Sequence, residues 1–190
     1  MRHLVFDVES IGLHGEHFAV GWVIYDHGKL VENDWVACPS TFASGTAEGR
    51  RWIEQNLPED VIDPPIGPHL VANTRGVREA FWHLWSKERN NGTKIWADVA
   101  WPVEARFLIA CIEDGREAEV DPRTLTIPPT DREFQGPYPV LDIRTIYSMC
   151  ANPPSYPEMR GPVHHPMYDA WRSAELLLLM LEQGTTIRRQ

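Results

Sequence analysis

Asp7 and Glu9 are the first residues of this chain whose types and spacing point to chemistry. They stand two apart in the apolar run Leu4-Val5-Phe6-Asp7-Val8-Glu9, and alternate side chains of a strand share a face, so both carboxylates can meet one ion. Two acids buried side by side cost free energy unless a cation or hydrogen bonds compensate. A strand end whose acids simply face water would show the same pair. A second cluster lies near the other end, in His164-His165-Pro166-Met167-Tyr168-Asp169-Ala170. Asp169 opens a helix, whose positive terminus favours a carboxylate, and His164 stands five residues earlier on the incoming loop. An imidazole titrates near neutrality, so His164 could take a proton from water while Asp169 holds a metal. A helix-capping Asp and a surface His are the plainer readings of each residue alone. His165 is the second candidate for the base.

These residues need a frame, and the patterning supplies one. Residues 4–9 read as a short strand closed by the turn Ser10-Ile11-Gly12-Leu13; 18–25 and 30–38 read as two more strands joined by the hairpin Asp26-His27-Gly28-Lys29. Helical periodicity runs over 46–56 and 75–89, and Asn90-Asn91-Gly92 stops the second helix before a strand at 94–97. Pro102 suits the first turn of a helix continuing over 104–113 and ending near Gly115. The Pro-, Thr- and Gly-rich stretch 121–139 reads as a long loop, 140–143 as a last short strand and 168–182 as a closing helix. A meander followed by alternating strands and helices implies an α/β fold, a mixed sheet with helices on its faces. The length of 190 residues suits a single domain spanning 1–190.

Together the two clusters resemble the DEDD superfamily of 3′-to-5′ exonucleases, in the DEDDh branch whose last motif is H-x4-D. Phe6-Asp7-Val8-Glu9-Ser10-Ile11-Gly12-Leu13 looks like the first motif, D-x-E-T/S-x-G-L, and His164 to Ala170 looks like the last. Proofreading exonuclease domains, ribonuclease T and oligoribonuclease share this plan, and small bacterial exoribonucleases with a Trp-rich middle motif are the nearest type. The resemblance covers nearly the whole chain. It implies a ribonuclease-H-like mixed sheet of five to six strands flanked by helices, and two Mg²⁺ or Mn²⁺ ions held by Asp7, Glu9, Asp169 and a further acid. His164 would be the base, and nucleoside 5′-monophosphates would be released from single-stranded 3′ ends, RNA somewhat favoured over DNA. Ser10, Gly12 and Leu13 would lie beside the terminal nucleotide, with Leu13 packing on its base.

The middle motif offers two acids for one role. Glu104-Ala-Arg-Phe-Leu matches the family's D-x-x-F-L register at a helix start and is favoured, although Glu departs from the usual Asp; Asp98, at the strand end where the family commonly has Asn, is the alternative. Asp142 stands where relatives end a strand before a helix and is read as a helix cap. Related exonucleases are often dimers, and the surplus of tryptophan would suit an interface between two copies.

Composition narrows the remaining classes. Hydrophobic residues at 43% and charged residues at 24% are ordinary for globular chains. The net charge of −9 argues against broad adhesion to nucleic acid, which needs a basic surface, but not against an enzyme that meets phosphate through cations. Eight tryptophans are unusual for this length and could be core, interface or stacking platforms. Cys38, Cys111 and Cys150, widely spaced and odd in number, read as free thiols of a cytoplasmic protein. The apolar run at 176–181 is far short of the roughly 20 residues that span a bilayer, so no membrane association is expected. Two rivals remain, a nucleic-acid-binding module without turnover and a hydrolase of small phosphoesters. A basic track would favour a polymer, and Arg50, Arg51, Arg75, Arg78, Lys87 and Arg89 are its candidates.

Overall fold

The computed structural model of the chain describes residues 1–118, 132 and 139–183, so the expected loop at 121–139 falls outside them except for Arg132 and Pro139. Strand β1 (Arg2–Ser10) occupies the centre of a five-stranded sheet of order β3-β2-β1-β4-β5. On one side β2 (His17–Asp26) and β3 (Lys29–Ala37) continue antiparallel as a meander; on the other β4 (Lys94–Ala97) and β5 (Val140–Asp142) run parallel to β1. The mixed α/β sheet expected from the patterning is therefore present.

Six helices flank it among the described residues: α1 (Ala47–Asn56), α2 (Glu59–Ile62), α3 (Thr74–Asn90), α4 (Ala105–Ala118), α5 (Ile143–Met149) and α6 (Pro166–Glu182). Local chemistry sets their starts. The Thr46 hydroxyl accepts the Gly49 amide at 3.0 Å ahead of α1, and Asn73 Oδ1 accepts the Gly76 amide at 3.0 Å ahead of α3. These bonds satisfy amide donors that a helix leaves orphaned. Gly92, at φ +70, turns the chain from α3 into β4.

Several boundaries differ from the sequence reading. Helix α4 starts at Ala105, because residues 100–104 form a wide turn in which Trp101 is extended (φ −121, ψ 138) and Pro102 follows a cis peptide. Ile143 belongs to α5 rather than to β5, since the Asp142 carboxylate accepts the Thr145 amide at 2.6 Å and caps the helix as expected. Helix α6 begins at Pro166 with His165 as its cap, which places Asp169 inside the first turn rather than at the cap.

The two faces of β1 serve different cores. Leu4, Phe6 and Val8 pack with Phe81 and Trp85 of α3 and Phe107 of α4; Phe6 and Phe81 lie 4.8 Å apart, ring to ring. Val5 points the other way, into a second cluster with Trp96 of β4 and Ala170, Ala174 and Leu177 of α6. By the period of two, Asp7 and Glu9 continue the Val5 face, toward α6. All three cysteines are buried and unbridged.

Candidate active site

Asp7 and Glu9 stand near the carboxyl end of β1 on the face that α6 covers. Helix α6 gets close to them because Gly21 lies opposite Asp7 on β2; a Cβ there would collide with the backbone of Pro166 and Met167. This close approach brings the first turn of α6, and with it Asp169, over β1. One ligand atom each of Glu9, His164 and Asp169 lies within 4.8 Å of the others. His164 adopts a left-handed backbone at φ +60, uncommon for a residue with a side chain and concentrated at functional sites.

Strand β4 ends at Ala97, which registers with Phe6, one residue before Asp7 on β1. Asp98 leaves β4 there, and the wide turn then carries Glu104 back to the cluster, where it is buried. Five carboxylates thus meet at one end of the sheet, the usual place for a ligand site in open α/β sheets. Burial, then the charges of Glu9, Glu104, Asp169 and Asp98, push the Asp7 carboxyl well above its ordinary range. Burial followed by Asp169 and Glu104 does the same to Glu9. Glu104 is pushed up to about 7, chiefly by burial, with hydrogen bonds from its own backbone and that of Val8 pulling the other way and Asp98 adding to the rise. Burial also raises Asp169, against the pull of His164.

The two middle acids differ in their surroundings. Asp98 Oδ2 accepts Arg144 Nε at 3.3 Å, and the Arg144 amide donates to the Asp98 carbonyl at 3.0 Å, so Asp98 is tied to the start of α5. Its Oδ1 is buried with no hydrogen-bond partner. His165, the second candidate for the base, is turned into the protein: it is buried between Trp35 and Tyr168, 4.8 Å from each ring, and its Nδ1 accepts the Met167 amide.

A cavity of about 580 Å³ opens beside Glu9, lined by Ser10, Gly12, Leu13, Thr46, Glu48, Gly49, Trp52 and Val103 among others. The Ser10 hydroxyl donates to the Gly12 carbonyl at 2.7 Å, and Gly12 sits at φ +69. Gly49 lets α1 rest on this turn, since a Cβ there would press on the Ile11 carbonyl. Leu13 is 64% exposed and available to a ligand. Trp52 was not singled out in the sequence. It lines the cavity, is 43% exposed and meets His164 edge-on at 5.1 Å. Its signal lies in the helix register: Gly49 and Ile53, four apart, are the buried positions of α1, so Trp52 is left outside.

The candidate basic track is mostly bound to the protein itself. Arg78 is buried between Asp114 and Glu16, Arg75 reaches Glu79, Lys87 reaches Glu32, and Arg50 donates to the Ala43 carbonyl; Arg51 and Arg89 are exposed.

No family model matches the chain, and no curated protein matches it by sequence. Solved structures do match in fold. The metal-free E. coli ExoI–ssDNA complex is similar at TM-score 0.61 and 12% identity, over 96% of this chain and 40% of that one. Exonuclease I in complex with the inhibitor BCBP is similar at TM-score 0.58 and 12% identity, over 96% of this chain and 41% of that one. The fold is thus the ribonuclease-H-like fold of these exonucleases, and the chain spans about two fifths of their length.

Proposed function

We propose that the chain is a metal-dependent 3′-to-5′ exonuclease of the DEDDh type, acting on single-stranded nucleic acid. The observation that carries this reading is the convergence of Asp7, Glu9, Glu104 and Asp169 with His164 at the carboxyl end of β1. The donors are carboxylate oxygens and one imidazole, a set suited to hard divalent cations, and the cluster's raised carboxyls lack a compensating charge. Asp7, Glu9, Asp169 and Glu104 would hold two Mg²⁺ or Mn²⁺ ions, with the unpartnered Oδ1 of Asp98 at the rim of the site. Such ions, when bound, acidify water and stabilise a leaving oxygen.

The chain's own groups do the rest. His164 accepts the proton of the attacking water, whose oxygen bonds to phosphorus as the bond to the preceding nucleotide's 3′ oxygen breaks, and the terminal residue departs as a nucleoside 5′-monophosphate. The cavity beside Glu9 takes that residue, its base against Leu13 and Trp52. The ExoI complex contains single-stranded DNA, which supports a single-stranded substrate. RNA is the preferred polymer on the likeness of the Trp-rich middle motif to that of small exoribonucleases. The test is Mn²⁺-dependent digestion of 5′-labelled single-stranded RNA and DNA. A ladder shortening from the 3′ end and lost in Asp7→Ala supports the reading; no metal-dependent digestion of either polymer overturns it.

A further inference from the structure

Of the eight tryptophans, Trp22, Trp35, Trp82, Trp85 and Trp96 are buried in the two cores and Trp171 is half-buried. Only Trp52 and Trp101 are exposed, and each lines a different cavity: Trp52 the one that Glu9 also lines, Trp101 one formed by the wide turn, the turn after β1, α3 and α4. Trp52 belongs to the cavity described above. Trp101, 69% exposed, lines a second one of about 650 Å³, together with His14, Arg106 and Ile109. The turn after β1 separates the two, presenting Leu13 to the first cavity and His14 to the second.

We propose that this second cavity binds the nucleotide preceding the scissile bond, its base stacked on Trp101 and a backbone phosphate against Arg106. The inference rests on the exonuclease reading of the neighbouring site. An indole open to water over most of its surface offers a free face, and base stacking covers it whatever the base. The backbone that carries the indole is held at both ends: the Ala100 amide donates to Asp142 Oδ2 at 2.8 Å, and Glu104 is buried at the other end of the wide turn. Arg106, on the first turn of α4, donates to the His14 carbonyl at 3.4 Å and has further N–H groups for a phosphate. Arg78 pairs with Asp114 at 2.5 Å and with Glu16 at 3.3 Å, so one guanidinium offsets part of the cavity's negative charge. Glu113 stays exposed at the edge. Trp101 shares the wide turn with Glu104, and the turn after β1 borders both cavities, so in this reading a strand whose terminal residue lies beside Glu9 meets Trp101 on its way out.

The experiment compares the wild-type chain with Trp101→Ala, Trp101→Phe and Arg106→Ala on two substrates. One is a labelled single-stranded oligonucleotide; the other is the p-nitrophenyl ester of thymidine 5′-monophosphate, which carries only the terminal nucleotide. Stacking on one base corresponds to about 5- to 150-fold in binding. Trp101→Ala is expected to lower the ratio of oligonucleotide to ester kcat/KM roughly tenfold, through KM, and Trp101→Phe to restore most of it. Arg106→Ala should reduce the salt slope of oligonucleotide binding by about one. An unchanged ratio overturns the proposal. So does a shift in sedimentation of Trp101→Ala, which would assign the indole to contact with a second copy. If the wild type cleaves neither substrate, the exonuclease reading fails on its own; anisotropy of the labelled strand in Ca²⁺ then tests the platform, and equal affinity of wild type and Trp101→Ala rejects it.

Discussion

Among the described residues, acids removed from water occur in two kinds of region, and the two are built in opposite ways. Between α3, α4 and the turn after β1, Arg78 Nη2 and Nε donate to Asp114 at 3.0 and 2.5 Å, and Glu16 accepts from Thr74 at 2.6 Å. Burial would raise Glu16, but hydrogen bonds from Thr74, Ser44 and Arg78 hold it below its ordinary range. At the far end of α3, Glu88 is likewise lowered against burial by Arg2 and Thr93. In the cleft, Asp7, Glu9, Glu104 and Asp169 are all raised, with no arginine or lysine paired directly to any of them among the described residues. The fold pairs its structural acids with arginine and, among the described residues, pairs none of these four with arginine or lysine. Unpaired buried charge is unstable alone, which is the electrostatic basis of the proposal that the second region takes up a cation from outside.

The largest contrast should appear when each region loses one member. Asp7→Asn removes a repelling charge without changing shape; activity should be abolished, while the thermal midpoint in chelator rises or stays level. Arg78→Ala leaves Asp114 and Glu16 unpaired and should cost about 3 kcal/mol in urea unfolding, the lower end of the usual range because Glu16 is partly in water. If Asp7→Asn instead destabilised the metal-free protein as strongly as Arg78→Ala, the two regions would not differ in kind.

A finer contrast separates the two middle acids. Glu104→Gln should abolish Mn²⁺-dependent turnover, whereas Asp98→Asn, which alters a group already tied to Arg144, should retain a measurable rate. His164→Ala should cost roughly 10²–10⁴-fold in kcat, the usual contribution of a general base. Equal losses from Glu104→Gln and Asp98→Asn would place both carboxylates on the metals and redraw the boundary between the regions.

Much of this was legible before the structure. Asp7 and Glu9 declare themselves because a strand's period of two is rigid, so their common face follows from spacing alone. The strand at 94–97 is bounded by Gly92 on one side and Asp98 on the other, and the structure gives the same limits. What failed depended on chain paths that periodicity does not record. Pro102 fits a first helical turn equally well by composition, yet the chain takes a wide turn there, which decides how Asp98 and Glu104 sit relative to β1. Helix α2, of four residues, is too short to show a pattern. Arg78 looked like part of a basic surface because its partners are remote in sequence: Glu16 and Asp114 meet it only once β1, α3 and α4 are packed.

The smallest effect expected is on pH dependence. Glu104 holds its proton up to about 7 in the folded metal-free chain, against 4.5 for an ordinary glutamate. Between those values the folded state binds more protons than the unfolded one, so stability falls as pH rises. Asp7, Glu9 and Asp169 are raised too and act in the same sense. Glu16 and Glu88, being lowered, act in the opposite one: their contribution is present above the ordinary carboxylate range and is lost as pH falls through their depressed values. In chelator, then, the thermal midpoint should be highest at weakly acid pH and decline toward mildly alkaline pH. Saturating Mn²⁺ binds the ionised carboxylates of the folded state alone and should remove the alkaline decline by mass action. A midpoint that climbs steadily with pH in chelator would show that the cleft's acids already have partners, and the case for an external cation would go with it.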